Sequence, residues 1–230
     1  MHANSRNVSS NQPGIHDQLS TLVSRHASTH FKKPIADVNQ LAFAQSIAAW
    51  RAAGSASLII DAGCGVGLSS WRLAQAHPTC FVIGIDQSAD RLGRQTGWPG
   101  APPANCILVR ADLVDYWRLL LAAGIHPAKQ YLLYPNPWPK KPQLARRWHG
   151  HAVFPTIVAL GGTIECRSNW KIYIDEFSAA LQQLTSLPVL VESYLPDDMA
   201  LTPFEEKYRA SGHALWRCRL QLAPKLQVLS

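Results

Sequence analysis

Leu58-Ile59-Ile60-Asp61-Ala62-Gly63-Cys64-Gly65-Val66-Gly67 opens as an apolar run of strand length, passes through an acid, and closes on three glycines at alternate positions. A helical pattern, Ser69 to Ala76, follows directly. Glycines between a strand and a helix permit positive φ and let a ligand approach the backbone. The helix start beyond them offers free N–H groups. The strand pattern recurs downstream. Phe81-Val82-Ile83-Gly84-Ile85 stops at Asp86, Ile107-Leu108-Val109 stops near Asp112, and Tyr131-Leu132-Leu133-Tyr134 stops at Pro135. Continuous apolar runs of this kind are expected of strands buried on both faces. Helical patterns from Ser88 to Thr96 and from Leu113 to Ala123 separate them. The alternation predicts an α/β fold, a mostly parallel sheet with helices on both faces. A strand at Thr163 to Cys166, a helix from Trp170 to Leu184, and strands at Val189 to Tyr194 and Ala214 to Gln221 complete the expectation.

Around this core, residues 1–20 are polar, contain Ser9-Ser10-Asn11-Gln12-Pro13-Gly14, and read as a disordered tail. Residues 21–56 read as a helical extension, with Val38, Leu41, Ala42, Ile47 and Ala48 forming the inner face of a helix from Ile35 to Ala53. Residues 57–230 read as the main domain, with no linker and no repeat. The chain has 230 residues, 47% of them hydrophobic and 16% charged, which excludes a disordered protein. No apolar run is long enough to span a bilayer. The opening Met1-His2-Ala3-Asn4-Ser5-Arg6 lacks the apolar centre of a signal peptide. A cytoplasmic protein is therefore expected, with no membrane partner. Five cysteines, an odd number without C-x-x-C spacing, argue against a disulfide framework and against a metal site. The net charge is +7, and residues 116–164 hold six Lys or Arg and no acid. Such a concentrated positive field suits a polyanionic partner. Monomer and homodimer both stay open.

Two ligand classes fit the glycine loop: dinucleotides and S-adenosylmethionine. The dinucleotide fingerprint needs a third glycine where Leu68 stands. A P-loop is excluded, because no Gly-Lys-Ser/Thr follows. A carboxylate at position 61 suits the ammonium and sulfonium of S-adenosylmethionine. Asp86, 25 residues on, can accept the hydroxyls of a ribose. Asp112 would face the adenine amine, cap the next helix, or do both. The cofactor-binding candidates are thus Asp61, Gly63, Gly65, Gly67, Asp86 and Asp112.

A second unusual stretch follows the fourth strand: Tyr134-Pro135-Asn136-Pro137-Trp138-Pro139-Lys140-Lys141. Its prolines fix φ and forbid helix, holding Asn136 and Trp138 at the carboxyl edge of the sheet, where ligands bind in such folds. Trp138 offers a stacking surface, and Lys140, Lys141, Arg146 and Arg147 offer cations for phosphates. His149 and His151 read as loop histidines, Phe204 as core, and Cys64 as a small loop residue.

Taken together these stretches resemble the bacterial tRNA (guanine-N7-)-methyltransferases. The likeness spans roughly residues 57–220 and rests on Asp61-x-Gly-x-Gly-x-Gly, Pro135-Asn136-Pro137-Trp138-Pro139-Lys140, Ser168-Asn169-Trp170 and Thr202-Pro203-Phe204-Glu205. It implies a Rossmann-like class I methyltransferase fold, S-adenosylmethionine as cofactor, and tRNA as partner, with the variable-loop guanine as target. It also implies that Asn136 sits at the catalytic position and that Lys140, Asn169, Thr202 and Glu205 serve the substrate, to which the residues' own chemistry adds Trp138, Lys141, Arg146 and Arg147. Two positions depart from the family's pattern: Asn136 and Asn169 stand where it usually carries Asp. Alternatives in view are another base atom, a small purine-like substrate, an amino-methyltransferase suggested by Asn136-Pro137-Trp138, and an RNA-binding module without turnover.

Overall fold

The computed structural model describes residues 5–29, 31–94, 98–195 and 200–223. Chain order is α1 (Leu19–Ser28), α2 (Asp37–Ala52), β1 (Ser57–Ala62), α3 (Leu68–Ala76), β2 (Cys80–Asp86), α4 (Ala89–Arg94), β3 (Cys106–Arg110), α5 (Leu113–Ala122) and β4 (Lys129–Leu133). Two short 3-10 turns (Lys141–Arg146, Trp148–Gly150) lead into α6 (Phe154–Ala159), β5 (Gly162–Ser168), α7 (Lys171–Thr185), β6 (Val191–Tyr194), α8 (Pro203–Ala210) and β7 (Leu215–Leu222). The strands form one sheet in the order β3-β2-β1-β4-β5-β7-β6. β1 pairs in parallel with β2 and β4, and β2 with β3, while β6 and β7 run antiparallel. This is the expected α/β architecture, and the strand order reverses between β1 and β4, the place where open α/β sheets bind ligands. Among the described residues no helix is long and apolar enough to cross a membrane.

Contacts divide the chain into two compact units. One comprises Lys33–Tyr131, Ala159–Ile164 and Gln221–Ser230. Its core is built on Ile59, Ile60, Val82, Ile83 and Ile85, all fully buried, with Trp117 and Leu120 of α5. The inner face of α2 differs from the periodicity-based expectation. Val38 and Leu41 are 68% and 60% exposed, and Asn39, Ser46 and Ile47 point inward. The reason is polar. Asp115 on α5 is buried and needs donors; it accepts from Asn39 Nδ2 at 2.7 Å and from the Ala36 N–H at 3.1 Å. Ser46 Oγ lies 2.7 Å from the Tyr116 hydroxyl. These bonds set the rotation of α2.

The other unit comprises Met1–Lys32, Leu132–Val158 and Glu165–Leu220. Here the stretch expected to be a disordered tail is docked over its described part, residues 5–20. Gln12 is buried and donates to Glu176 Oε1 at 2.5 Å, and the His16 N–H donates to the same oxygen at 3.0 Å. Ser10 Oγ donates to the Pro139 carbonyl at 2.7 Å. α1 then lays Leu19 and Val23 into the core beside α7. Docking follows from Glu176, a buried carboxylate that takes two of its four donors from this segment.

Candidate active site

In the first unit the glycine loop leaves β1 as expected. Gly63, Gly65 and Gly67 all have positive φ, of 80, 60 and 79°. The three are not equivalent. A Cβ on Gly65 would meet nothing within 4 Å, and one on Gly63 would only touch Leu113 at 4.0 Å. A Cβ on Gly67 would lie 2.8 Å from Trp98 and 2.5 Å from Leu108. Gly67 is buried and starts α3, and the Trp98 indole N–H donates to the Val66 carbonyl at 3.0 Å beside it. Gly63 and Gly65 therefore leave room for a ligand, whereas Gly67 is a packing requirement of the turn.

Two acids anchor this loop. Asp86 is 4% exposed; its Oδ2 accepts from the Gly65 N–H at 3.0 Å and its Oδ1 from the Ser88 N–H at 2.8 Å. Asp61 is 1% exposed, and its Oδ2 accepts from the Ser69 and Ser70 hydroxyls at 2.6 and 2.7 Å. Its Oδ1 is buried without a partner among the described residues. Such an orphan carboxylate oxygen fits a cationic or N–H-bearing ligand group. Burial pushes the Asp61 carboxyl up to about 6, against the two serine hydroxyls, with Asp86 adding to the rise. An acid raised in the folded state loses stability as pH rises, because the unfolded chain ionises first. From its ordinary 3.8 to about 6, the penalty grows to about 3 kcal/mol at 1.36 kcal/mol per unit. Urea titrations across this window should show wild-type stability falling relative to Asp61→Asn as pH rises; parallel curves would refute the assignment. Asp112 caps α5 by accepting from the Val114 N–H at 2.8 Å and meets Lys33 Nζ at 3.4 Å. Cys64 is buried with its thiol pushed well up, first by burial, and so is no nucleophile.

In the second unit the Pro-Trp loop is held under strain. Tyr134 and Trp138 both have positive φ, 51 and 45°, a cost of order 1–3 kcal/mol each that surrounding contacts must enforce. Asn136 is exposed, and its Oδ1 accepts from the Trp138 N–H at 3.4 Å. Arg146 lies over the Trp138 ring, 4.8 Å from its centroid. Lys140 and Lys141 are exposed. Arg147, expected on the surface as a phosphate contact, is instead fully buried. Its Nη1 donates to Glu176 at 2.5 Å, its Nη2 to Gln12 Oε1 at 3.0 Å, and its Nε to the Trp138 carbonyl at 3.1 Å. It is a positioning residue for the loop. His149 also departs from expectation. It is fully buried and gives Nε2–H to Glu176 at 2.8 Å, and Nδ1 has no partner among the described residues. Burial holds the imidazole below its ordinary value, so it is neutral, and the Glu176 carboxyl is held down to about 2 by His149 and Arg147 against its own burial.

The Thr-Pro-Phe-Glu segment is likewise internal. Thr202 is buried and caps α8 by accepting from the Glu205 N–H at 3.0 Å, a role in which Pro203 fits the first helical position. Glu205 is fully buried. It accepts from Arg167 Nη1 at 2.9 Å, from the Tyr134 hydroxyl at 3.0 Å, and from Tyr194 and the Leu201 N–H. Arg167 holds its carboxyl below the ordinary range despite burial. Glu205 thus supports Tyr134 at the head of the Pro-Trp loop rather than presenting a free carboxylate. Phe204, expected in the core, is 52% exposed. Asn169 Nδ2 lies 3.2 Å from His213 Nδ1, and His213 Nε2 lies 2.9 Å from the Ser5 carbonyl. Sequence reading missed Tyr134, Arg167, Tyr194 and Glu176, whose partners are remote along the chain.

A methyltransferase family model, Methyltransf_4, matches residues 55–218. The chain belongs to this methyltransferase family. Relatives of this methyltransferase include the tRNA (guanine-N(7)-)-methyltransferases of Methylobacillus flagellatus and Thiobacillus denitrificans. Each is 26% identical over 168 residues and 69% of this chain, covering 68% and 72% of the relative. The solved 16S rRNA methyltransferase KamB shares the fold at 14% identity and a TM-score of 0.53, over 73% of this methyltransferase and 88% of that chain.

Proposed function

We propose that this methyltransferase takes its methyl group from S-adenosylmethionine and places it on guanine N7 of a tRNA, in the variable loop. The observation that carries the donor half is the orphan Asp61 oxygen behind two open glycines: a buried anion next to ligand-accessible backbone suits a cationic donor. The RNA half is supported by the named activity of the relatives and by the exposed cations Lys140, Lys141 and Arg146. When bound, the donor supplies an electrophilic methyl carbon on sulfonium. Asp61 would oppose its positive charge, the Gly63 and Gly65 backbone would line it, and Asp86 would accept from the ribose. Guanine N7 is a lone-pair nucleophile with no proton to lose, so this reaction needs no general base. What the protein contributes is alignment and exclusion of water. The strained Pro-Trp loop supplies a rigid base platform: Trp138 can stack on a base, and Asn136 can both accept from and donate to guanine edges.

The test is incubation with tRNA from a strain lacking the protein, followed by nucleoside mass spectrometry. The expected product is N7-methylguanosine. Methylation of free nucleosides but not tRNA, or of another base atom, would overturn the reading. Asn136→Asp should change kcat/KM by less than about 100-fold, because orientation and not proton transfer is at stake. A larger rise would show that the amide disables the site.

A further inference from the structure

Beyond these residues the second unit contains a cleft of about 720 Å³ between α1 and the Lys141–Arg146 turn. His16, Thr21 and Arg25 line one wall, Lys141 and Leu144 the other. Arg25 and Lys141 are exposed, and neither side-chain cation has a partner among the described residues. The acid in the lining, Asp17, is one carboxylate against the two cations. The uncompensated charge in the cleft is therefore positive.

The two walls are tied to the same buried carboxylate. Glu176 takes Gln12 Nε2 and the His16 N–H from the side that leads into α1. It takes Arg147 and His149, which follow the Lys141–Arg146 turn, from the other. Four donors on one buried carboxylate tie both walls to a single point, so the separation of the two cationic walls is built in. The space is too large for one phosphate. It suits a strand in which riboses separate successive phosphates, with Thr21 and Gln18 as further donors.

We infer that this cleft receives a stretch of the sugar–phosphate backbone of the RNA substrate, with Arg25 and Lys141 on phosphates. This rests on the tRNA reading above. It adds Arg25, which lies outside every motif of the sequence, to the RNA-binding surface, and it gives the docked N-terminal segment a function.

Bulk tRNA binding to the full chain, measured by fluorescence anisotropy over a range of salt, tests it. Arg25→Ala/Lys141→Ala should weaken binding about tenfold or more and lower the salt slope by about 2, roughly one unit for each phosphate no longer neutralised. Arg25→Lys/Lys141→Arg should keep most of the affinity, and calorimetry with S-adenosylmethionine should show the donor site of the alanine variant intact. Unchanged tRNA affinity and slope in the alanine variant would overturn the cleft while leaving the tRNA reading standing. No tRNA binding by the unaltered protein at any salt would overturn both. Loss of binding in the conservative pair as well as in the alanine pair would also overturn it, since cations would then not be what the site reads.

Discussion

Replacing Arg147 by alanine should cost the fold about 3–5 kcal/mol, the penalty for stranding a buried charge. Melting should fall by roughly 10 °C, at about 2–4 °C per kcal/mol for a chain of this size. The reason is the number of groups left without a partner. Glu176 would lose the guanidinium 2.5 Å away, and both Gln12 Oε1 and the Trp138 carbonyl would lose a donor. The Trp170 ring, which Arg147 covers at 5.0 Å, would face a void. Burial of a charge pair is itself weak evidence for stability, so the variant alone does not separate a net-favourable pair from a stranded anion. Arg147→Met/Glu176→Gln does: with both charges removed it should be clearly more stable than Arg147→Ala, a strong coupling in a double-mutant cycle. The same cluster responds to acid. The Glu176 carboxyl is held down from 4.5 to about 2, so its contribution is complete above 4.5 and fades as pH falls towards 2. Arg147→Ala should blunt that acid transition in urea titrations. A variant within about 0.5 kcal/mol of wild type, typical of surface substitutions, would mean that Arg147 is solvated after all.

Arg147 also shows where sequence reading stops. Its neighbours Lys140, Lys141 and Arg146 are on the surface as a run of cations suggests. Nothing local distinguishes the fourth, because its carboxylate stands 29 residues away on α7 and its amide partner 135 residues away. Glu205 is the same case, paired with Arg167 across 38 positions. Strands β1, β2 and β4 were legible because burial on both faces writes itself into consecutive residues. The position of α2 was legible and its face was not, since counting apolar residues ignores that a buried Asp115 draws Asn39 inward. In the glycine loop, residue spacing marks all three glycines alike. Only the arrival of Trp98 and Leu108 from later in the chain separates Gly67 from Gly63 and Gly65. Local patterns thus located the elements and the loops, and long-range charge pairing decided which polar side chains remained free to act.

Asp86→Ala should reduce affinity for S-adenosylmethionine by at least about 100-fold, a loss of roughly 3 kcal/mol. Two effects add. The first is the loop itself: Asp86 holds the Gly65 and Ser88 N–H groups with separate oxygens, and hydrogen bonds to an ionised acceptor are among the stronger ones. Without it the loop relaxes, and the ligand must order Gly65 on binding. The second is the missing acceptor for ribose hydroxyls, which alanine cannot replace. Asp86→Asn separates them. It keeps one carbonyl oxygen, but its amide must point an N–H at either Gly65 or Ser88, so one anchor goes and one survives. Its affinity should lie between wild type and alanine, with a smaller loss of stability. Calorimetric titration of the donor alongside urea denaturation reads both quantities. If Asp86→Ala stays folded and binds the donor as tightly as wild type, the open space before Gly63 and Gly65 is not where the nucleoside lies. A loss of stability without any loss of affinity would reduce Asp86 to a scaffold for the turn. The expected pattern is a joint loss, because the two oxygens that fix the loop at the end of β2 are the ones that would accept from the sugar in the proposed site.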